Sequence, residues 1–452
     1  MLKSNSIKLI KYKSLFPLLL LIILPYTFII GPLVLEIVAN SIGLYFLYIV
    51  FKNKNYSLLR NSFTYIFFIF YFYIILRSIF SFDPYFTLST SFFYFRFLFF
   101  TLGVLLILKN FKNAENLFLK NTMIAVFLVS FVLLLECLFF SKISPFYDPI
   151  YVRYFSLFLN EPIPGSYISR FLPYAILCIF CLYKKFSNRI FSLAILISLL
   201  VISIYISGER TAFFYSLVTL SVFFLIYNFN IKFKLVLASM FIFIFAMINI
   251  LDSRARERMI SFTKTQMFSQ NNQKSFIIIN DQNNIDSVSQ KTLKIREIEA
   301  SNFPGFSSEH KRHFYSAYLM FKDNPIFGQG PKAFRMLCKK SNFFVPGACT
   351  THPHNTILQI LAEIGLVGIV FYLIILIWIL SFFFKILYKK FIKFNPIGEN
   401  DNFRILYFSA LLICFFPFVP SGNFFNNWLS FNCYLPFAFI FNRSSYYNAK
   451  IK

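Results

Sequence analysis

The run THPHN (residues 351–355) places His352 and His354 immediately before a long apolar stretch, in a chain with only four histidines. A free helix N-terminus carries a partial positive charge, which disfavours imidazolium. Neutral imidazole at a water–lipid boundary is suited to general base work. The plainer reading is an N-terminal cap in which Asn355 and Thr356 share. The pair is a poor metal site, since no third ligand follows at useful spacing, and no metal is implied. In ISGERTAFF (206–214), Glu209 and Arg210 occupy a hairpin so short that they sit at a membrane surface. A snorkelling arginine would account for that as well. Arg312 falls in the first turn of an expected helix, opposite a stripe of Phe314, Tyr318 and Phe321; a solvated helix charge explains it equally. NPIFGQGPKAF (324–334) sets Gly328 and Gly330 between prolines, a tight turn with exposed amides. Two arginines and a candidate base near one surface suit a lipid-linked phosphate, because guanidinium matches phosphate oxygens with paired hydrogen bonds. The base would take a proton from a hydroxyl attacking the carbon that bears the phosphate.

Positioning such a set is the task of an all-α polytopic membrane protein. Of 452 residues 58% are hydrophobic, mean hydropathy is +0.65, and the apolar residues fall in blocks that match the hydrocarbon thickness. The 68 phenylalanines read as lipid-facing and packing residues. About twelve spans are expected, near 14–30, 33–51, 62–81, 92–108, 121–140, 166–183, 190–206, 212–230, 235–251, 357–384, 404–420 and 424–441. The first lacks a small-residue cleavage site and is not a signal peptide. The net charge of +26 points to no nucleic acid. Its lysines and arginines collect in alternate connections, which puts both termini in the cytoplasm.

Three parts follow: a nine-span bundle (1–251), an outer loop domain (252–355), and three further spans with a cytoplasmic tail (356–452). Within the loop, residues 265–295 are rich in Asn, Gln and Ser and read as irregular; a folded part begins near Glu309. Five cysteines lie in or near spans, where a thiol acts as a small apolar residue. Cys338 and Cys349 are the two in the outer loop, and an oxidising compartment would let them pair.

Four segments, taken in order, resemble the superfamily of O-antigen ligases and O-antigen polymerases. THPHNTILQILAEIGLVGIVFY is similar to its histidine–asparagine pair followed by Glu-x-Gly-x-x-Gly, here His354, Asn355, Glu363, Gly365 and Gly368. SGERTAFF resembles its central arginine hairpin, and RHFYSAYLMFKDNPIFGQGPKAF its loop segment. VRYFSLFLNEPIPGSYISRFLPY (152–174) resembles the stretch before the sixth span, with Glu161 and Arg170 at family-typical places. The resemblance covers about residues 150–375. It implies a glycosyltransferase of the bacterial inner membrane that needs no cofactor or metal and works at the periplasmic face. Its donor would be an undecaprenyl-diphosphate-linked glycan, and its acceptor lipid A–core or another glycan acceptor. Arg210 and Arg312 would hold the diphosphate and His354 would act as base or orient the acceptor. Glu161, Glu209, Arg170 and Asn355 are further substrate-binding candidates, and His352 is structural. Repeat-unit polymerisation would use the same site chemistry and stays open. A transporter would place charges at the bilayer midplane in corresponding halves; Arg77 and Arg96 are the main arginines near the earlier spans, and no halves correspond.

Overall fold

The computed structural model describes residues 14–139, 153–158, 161–183, 185–227, 229, 253–268, 295–296, 299–302 and 306–450, with isolated positions between 234 and 250. No strand occurs among them. The first nine helices are α1 (Phe16–Ile30), α2 (Pro32–Asn53), α3 (Ser62–Ile79), α4 (Pro84–Ser91), α5 (Arg96–Asn110), α6 (Ala114–Phe139), α7 (Pro164–Leu182), α8 (Phe186–Ile206) and α9 (Arg210–Ile226). After a helical stretch at 253–268 come α10 (Ser308–Asp323), α11 (Thr356–Leu387), α12 (Glu399–Cys414) and α13 (Asn427–Lys450). Local sequence sets several starts. Pro32, Pro84 and Pro164 take first-turn positions where their missing N–H costs nothing. Asn61 and Asp83 cap α3 and α4 by accepting the N–H groups of Thr64 and Phe86.

Seven helical segments among the described residues are long and apolar enough to cross a membrane. α1 and α9 are apolar but shorter, at 15 and 17 residues. The expected ninth span (235–251) and the Asn/Gln-rich stretch 265–295 lie largely outside the described residues. α2 packs on α5, α5 on α13, α6 on α7, and α12 on both α7 and α13. Aromatic side chains fill these seams: Phe382 stacks on Phe408 at 3.8 Å, and Tyr407 on Phe439 at 4.9 Å. The arginines near the earlier spans hold the fold together. Arg96 pairs with Glu36 at 3.3 Å and donates to Asn427 Oδ1, joining α5, α2 and α13.

The expected tenth span is broken. Gly365, at φ 65° and ψ −165°, interrupts α11, leaving a short outer piece and a long inner one. The NPIFGQGP segment is laid into the gap. Leu366 N donates to Pro325 O (2.9 Å), Gln329 N to Ala362 O (2.8 Å) and Gly330 N to Glu363 O (2.7 Å), so the backbone groups freed by the break find partners. Contact is backbone to backbone: a Cβ on Gly365 would collide with the Ile326 carbonyl, and one on Gly328 (φ 69°) with the Glu363–Ile364 peptide. From α3, Arg77 Nε donates to Gly328 O (2.8 Å) and Tyr73 OH to Ile364 O (2.6 Å). The exposed amides expected of this turn are therefore spent on α11, and no anion is needed to occupy them.

Gly365→Ala should destabilise the protein by about 1–3 kcal/mol from backbone strain alone, more once the displaced Ile326 carbonyl is added. Gly398→Ala, where a Cβ meets nothing within 4 Å and φ is negative, should leave the thermal midpoint in detergent unchanged. Equal midpoints for the two variants would show that the break is not strained in this way.

Candidate functional site

All four histidines of the chain meet. Ser307 caps α10, its hydroxyl accepting His310 N and lying 2.6 Å from His310 Nδ1. One turn on, His313 shares the face of His310, and its Nδ1 donates to Ala348 O at 2.7 Å. Ring centroids lie 5.6 Å apart for His310 and His354, 5.3 Å for His313 and His354, and 4.1 Å for His352 and His354. The buried face of α10 differs from the expected stripe. It carries His313, Phe314, Ala317 and Met320, whereas Tyr318 is 40% exposed. The helix turns its histidines, not its second aromatic, toward the start of α11.

His352 and His354 are placed by a braced loop. Cys338 and Cys349 are joined by a disulfide, Cα atoms 5.3 Å apart. Ser421, from the α12–α13 connection, accepts from His352 Nε2 at 3.1 Å, and its N–H donates to His354 O at 2.8 Å. Thr351 Oγ1 sits 2.9 Å from His352 Nδ1. Both nitrogens of His352 are thereby engaged, which fits a structural part. His354 itself adopts φ 55°, a left-handed conformation that non-glycine residues hold only when their surroundings fix it. It does not cap α11. Asn355 does, its Oδ1 accepting Leu358 N at 3.0 Å. The His354 ring is left facing His310 and His313.

Burial, then the neighbouring histidines, hold His354 and His310 down to about 4, with Arg210 adding to the effect on His310. Burial and His354 bring His352 to about 3; burial lowers His313 too. At neutral pH the cluster is uncharged. Among the described residues, no three His, Cys, Asp or Glu side chains are arranged to ligate a metal ion.

Arginines border the histidines. Arg210 opens α9, and its Nη1 donates to Thr263 Oγ1 at 3.2 Å. It lies within electrostatic reach of His310 and Arg258, and Arg153 reaches both arginines. Arg153 and Arg258 each hold a buried Nε with no hydrogen-bond partner. Burial first, then Arg153 and Arg210, pull Arg258 down to about 10. Three guanidiniums that disfavour one another, two with buried Nε donors unused among the described residues, leave an excess of positive charge that Glu209 beside Arg153 and Glu309 near Arg258 only partly offset, a place for an anion.

The other expected residues are not all here. Arg312 lies two residues from His310, off its face, with Nη1 3.0 Å from where a Cβ on Gly347 would stand; of the histidines it influences His313. Glu209 is buried and spent on the start of α7, accepting Gly165 N (2.6 Å), Ser166 N (3.0 Å) and Ser166 Oγ (2.6 Å). That pins the hairpin carrying Arg210. Arg170 is enclosed in the bundle between Tyr215 and Trp428, its Nη1 donating to Ser166 O at 3.3 Å. Asn355 has both ends of its amide committed to backbone, and Glu161 is exposed before α7. Sequence reading passed over His310, His313, Arg153 and Arg258. The His-x-x-His spacing in HKRH was the available signal for the first two; nothing local marked the arginines.

A broken span roofed by a small folded loop, with histidines and arginines at one end of an apolar helical bundle, defines an integral membrane protein with a polar site at the membrane edge. Residues 193–373 match the O-antigen ligase family. That match supports the superfamily of O-antigen ligases and polymerases, whose members are membrane glycosyltransferases. No curated protein matches it significantly.

The histidines make stability depend on pH. Unfolded histidines protonate near 6.5, whereas folded His310 and His354 resist to about 4. Below 6.5 the unfolded chain binds more protons, so the stabilisation is complete above that pH and drains away as pH falls toward 4. The thermal midpoint in detergent should drop between pH 7 and pH 4.5, and the double variant His310→Gln/His354→Gln should drop less steeply. Parallel slopes would rule the pair out as the cause.

Proposed function

We propose that this protein is a ligase-type glycosyltransferase that moves a glycan from undecaprenyl diphosphate to a hydroxyl of lipid A–core or another glycan acceptor. It would sit in the bacterial inner membrane with both termini cytoplasmic and the histidine cluster facing the periplasm. The observation that carries the reading is the His354 ring, without a hydrogen-bond partner among the described residues, against His310, which in turn lies within electrostatic reach of Arg210 in the Arg153–Arg210–Arg258 group. The acceptor O–H gives its proton to a His354 ring nitrogen as its oxygen bonds to the anomeric carbon. The bond from that carbon to the diphosphate oxygen breaks, and the electron pair leaves with the diphosphate, where the arginines neutralise it. A diphosphate is a good leaving group, so positioning supplies much of the rate. An imidazole held to about 4 is neutral when the site is empty but weakly basic. A diphosphate beside it favours imidazolium and raises its basicity when the donor arrives. Arg312, off the histidine face, steadies the 345–348 loop that receives the His313 hydrogen bond.

His354→Ala should lower transfer by about 10²–10⁴-fold, the range for a lost general base. Arg258→Gln should also lower it, by removing a charge-assisted contact to the leaving group, and Arg312→Gln should have the smaller effect. The check is the lipopolysaccharide profile of a gene-deleted host complemented with each variant, with membrane levels confirmed. Core without glycan while lipid-linked polymer accumulates supports the ligase. Core carrying a single repeat unit would mean a polymerase, and full rescue by His354→Ala would remove the base from the mechanism.

A further inference from the structure

A partly open cavity of about 1490 Å³ lies between α3 and α11 on one side and α5 and α13 on the other. One end is marked by Thr356, Ser421 and Gly422, next to the histidines; the other reaches the turn between α2 and α3. Its middle is lined by Phe67, Leu102, Leu105, Ile360, Ile375 and their neighbours, a surface on which water has few partners. A void of that size and character is filled by something apolar. Its two ends differ. Near the histidines the wall carries a single charged residue, Arg170, which lies against Tyr215 and Trp428 and donates through Nη1 to the Ser166 carbonyl, its Nε having no partner among the described residues. At the far end the lining includes Lys54, Arg60 and Lys109 with Asn55 and Asn61, and among the described residues no acidic side chain lines the cavity. None of the three cations is ion-paired among the described residues. An occupant therefore has apolar chains and an anionic head at the end remote from the reaction.

We propose that the chamber holds one anionic phospholipid, its phosphate on Lys54, Arg60 and Lys109 and its acyl chains between α3/α11 and α5/α13. A glycan donor carried on a prenyl diphosphate would have its charge at the opposite end, with Arg153, Arg210 and Arg258. The orientation proposed above puts the basic end in the cytoplasmic leaflet, where anionic lipids are the abundant anion. The lipid acts as a wedge. α3 carries Tyr73 and Arg77, which clamp Ile364 and Gly328 at the break in α11. Filling the space behind α3 keeps that clamp seated.

The test uses full-length protein purified in detergent and native mass spectrometry with dioleoylphosphatidylglycerol and dioleoylphosphatidylcholine. One phosphatidylglycerol should bind at least about tenfold more tightly than phosphatidylcholine. Each basic residue near a lipid surface is worth about fivefold, so the triple variant Lys54→Gln/Arg60→Gln/Lys109→Gln should lose roughly a hundredfold and with it the preference. Lys109→Gln alone, the milder change, should lose about fivefold. Ile66→Trp, which narrows the chamber without touching charge, should weaken both lipids. No preference in the wild type, or full retention by the single and triple variants, overturns the proposal. So does displacement of phosphatidylglycerol by equimolar undecaprenyl phosphate, which would assign the chamber to a prenyl carrier.

Discussion

At Gly365 the long helix α11 ceases to be a helix for one residue, and the rest of the site is arranged around that break. An interrupted helix in a membrane exposes backbone groups that lipid cannot satisfy. Here the 324–331 turn supplies partners, and it can come close enough only because Gly328 and Gly365 face one another without side chains. The fully buried Glu363 completes the join, accepting the N–H groups of Lys332 (3.0 Å) and Phe334 (3.2 Å) and the amide of Gln359 (3.0 Å). Through this junction α10, which precedes the turn, is fixed against the outer piece of α11. His310 and His313 are thereby carried to His354.

The electrostatics follow from that geometry. Crowded imidazoles with little access to water stay neutral, and the arginines beside them are kept charged in a half-buried place where they repel each other. Such an arrangement costs stability when empty and is relieved by an anion. Glu209 shows how local charge is kept from collapsing the group. It is committed to the start of α7 by three hydrogen bonds, which holds the hairpin still and leaves Arg210 directed to the loop.

The hydrophilic loop is more than a cover. The Cys338–Cys349 bridge and the Ala348 carbonyl on His313 brace it internally, and the Ser421 contacts with His352 and His354 tie it to the α12–α13 connection. Two of these ties orient an imidazole, those of His313 and His352, and Ser421 N holds the left-handed backbone at His354 through its carbonyl.

The sequence by itself determined the class of protein and most of the helices, and it drew attention to His354 and Arg210. These are legible because hydropathy blocks, proline starts and a charge at a membrane edge act locally. Several helix ends fall within a few residues of the expected spans, as for α1, α2, α3 and α7, whereas α6 begins seven residues early and α13 runs nine residues further. What the tertiary structure decided was which side chains share a site. Arg312 and His310 are two residues apart and indistinguishable as exposed helix positions, yet only helix rotation against α11 brings His310 to His354. Glu209 and Asn355 looked free to bind substrate until the α7 N-terminus and the α11 cap claimed them. Arg153 and Arg258, more than a hundred positions apart in sequence, become neighbours of Arg210 through folding alone. The break at Gly365 was hidden inside a stretch that reads as one apolar span despite Gln359 and Glu363, because hydropathy records the cost of leaving water and is blind to backbone direction.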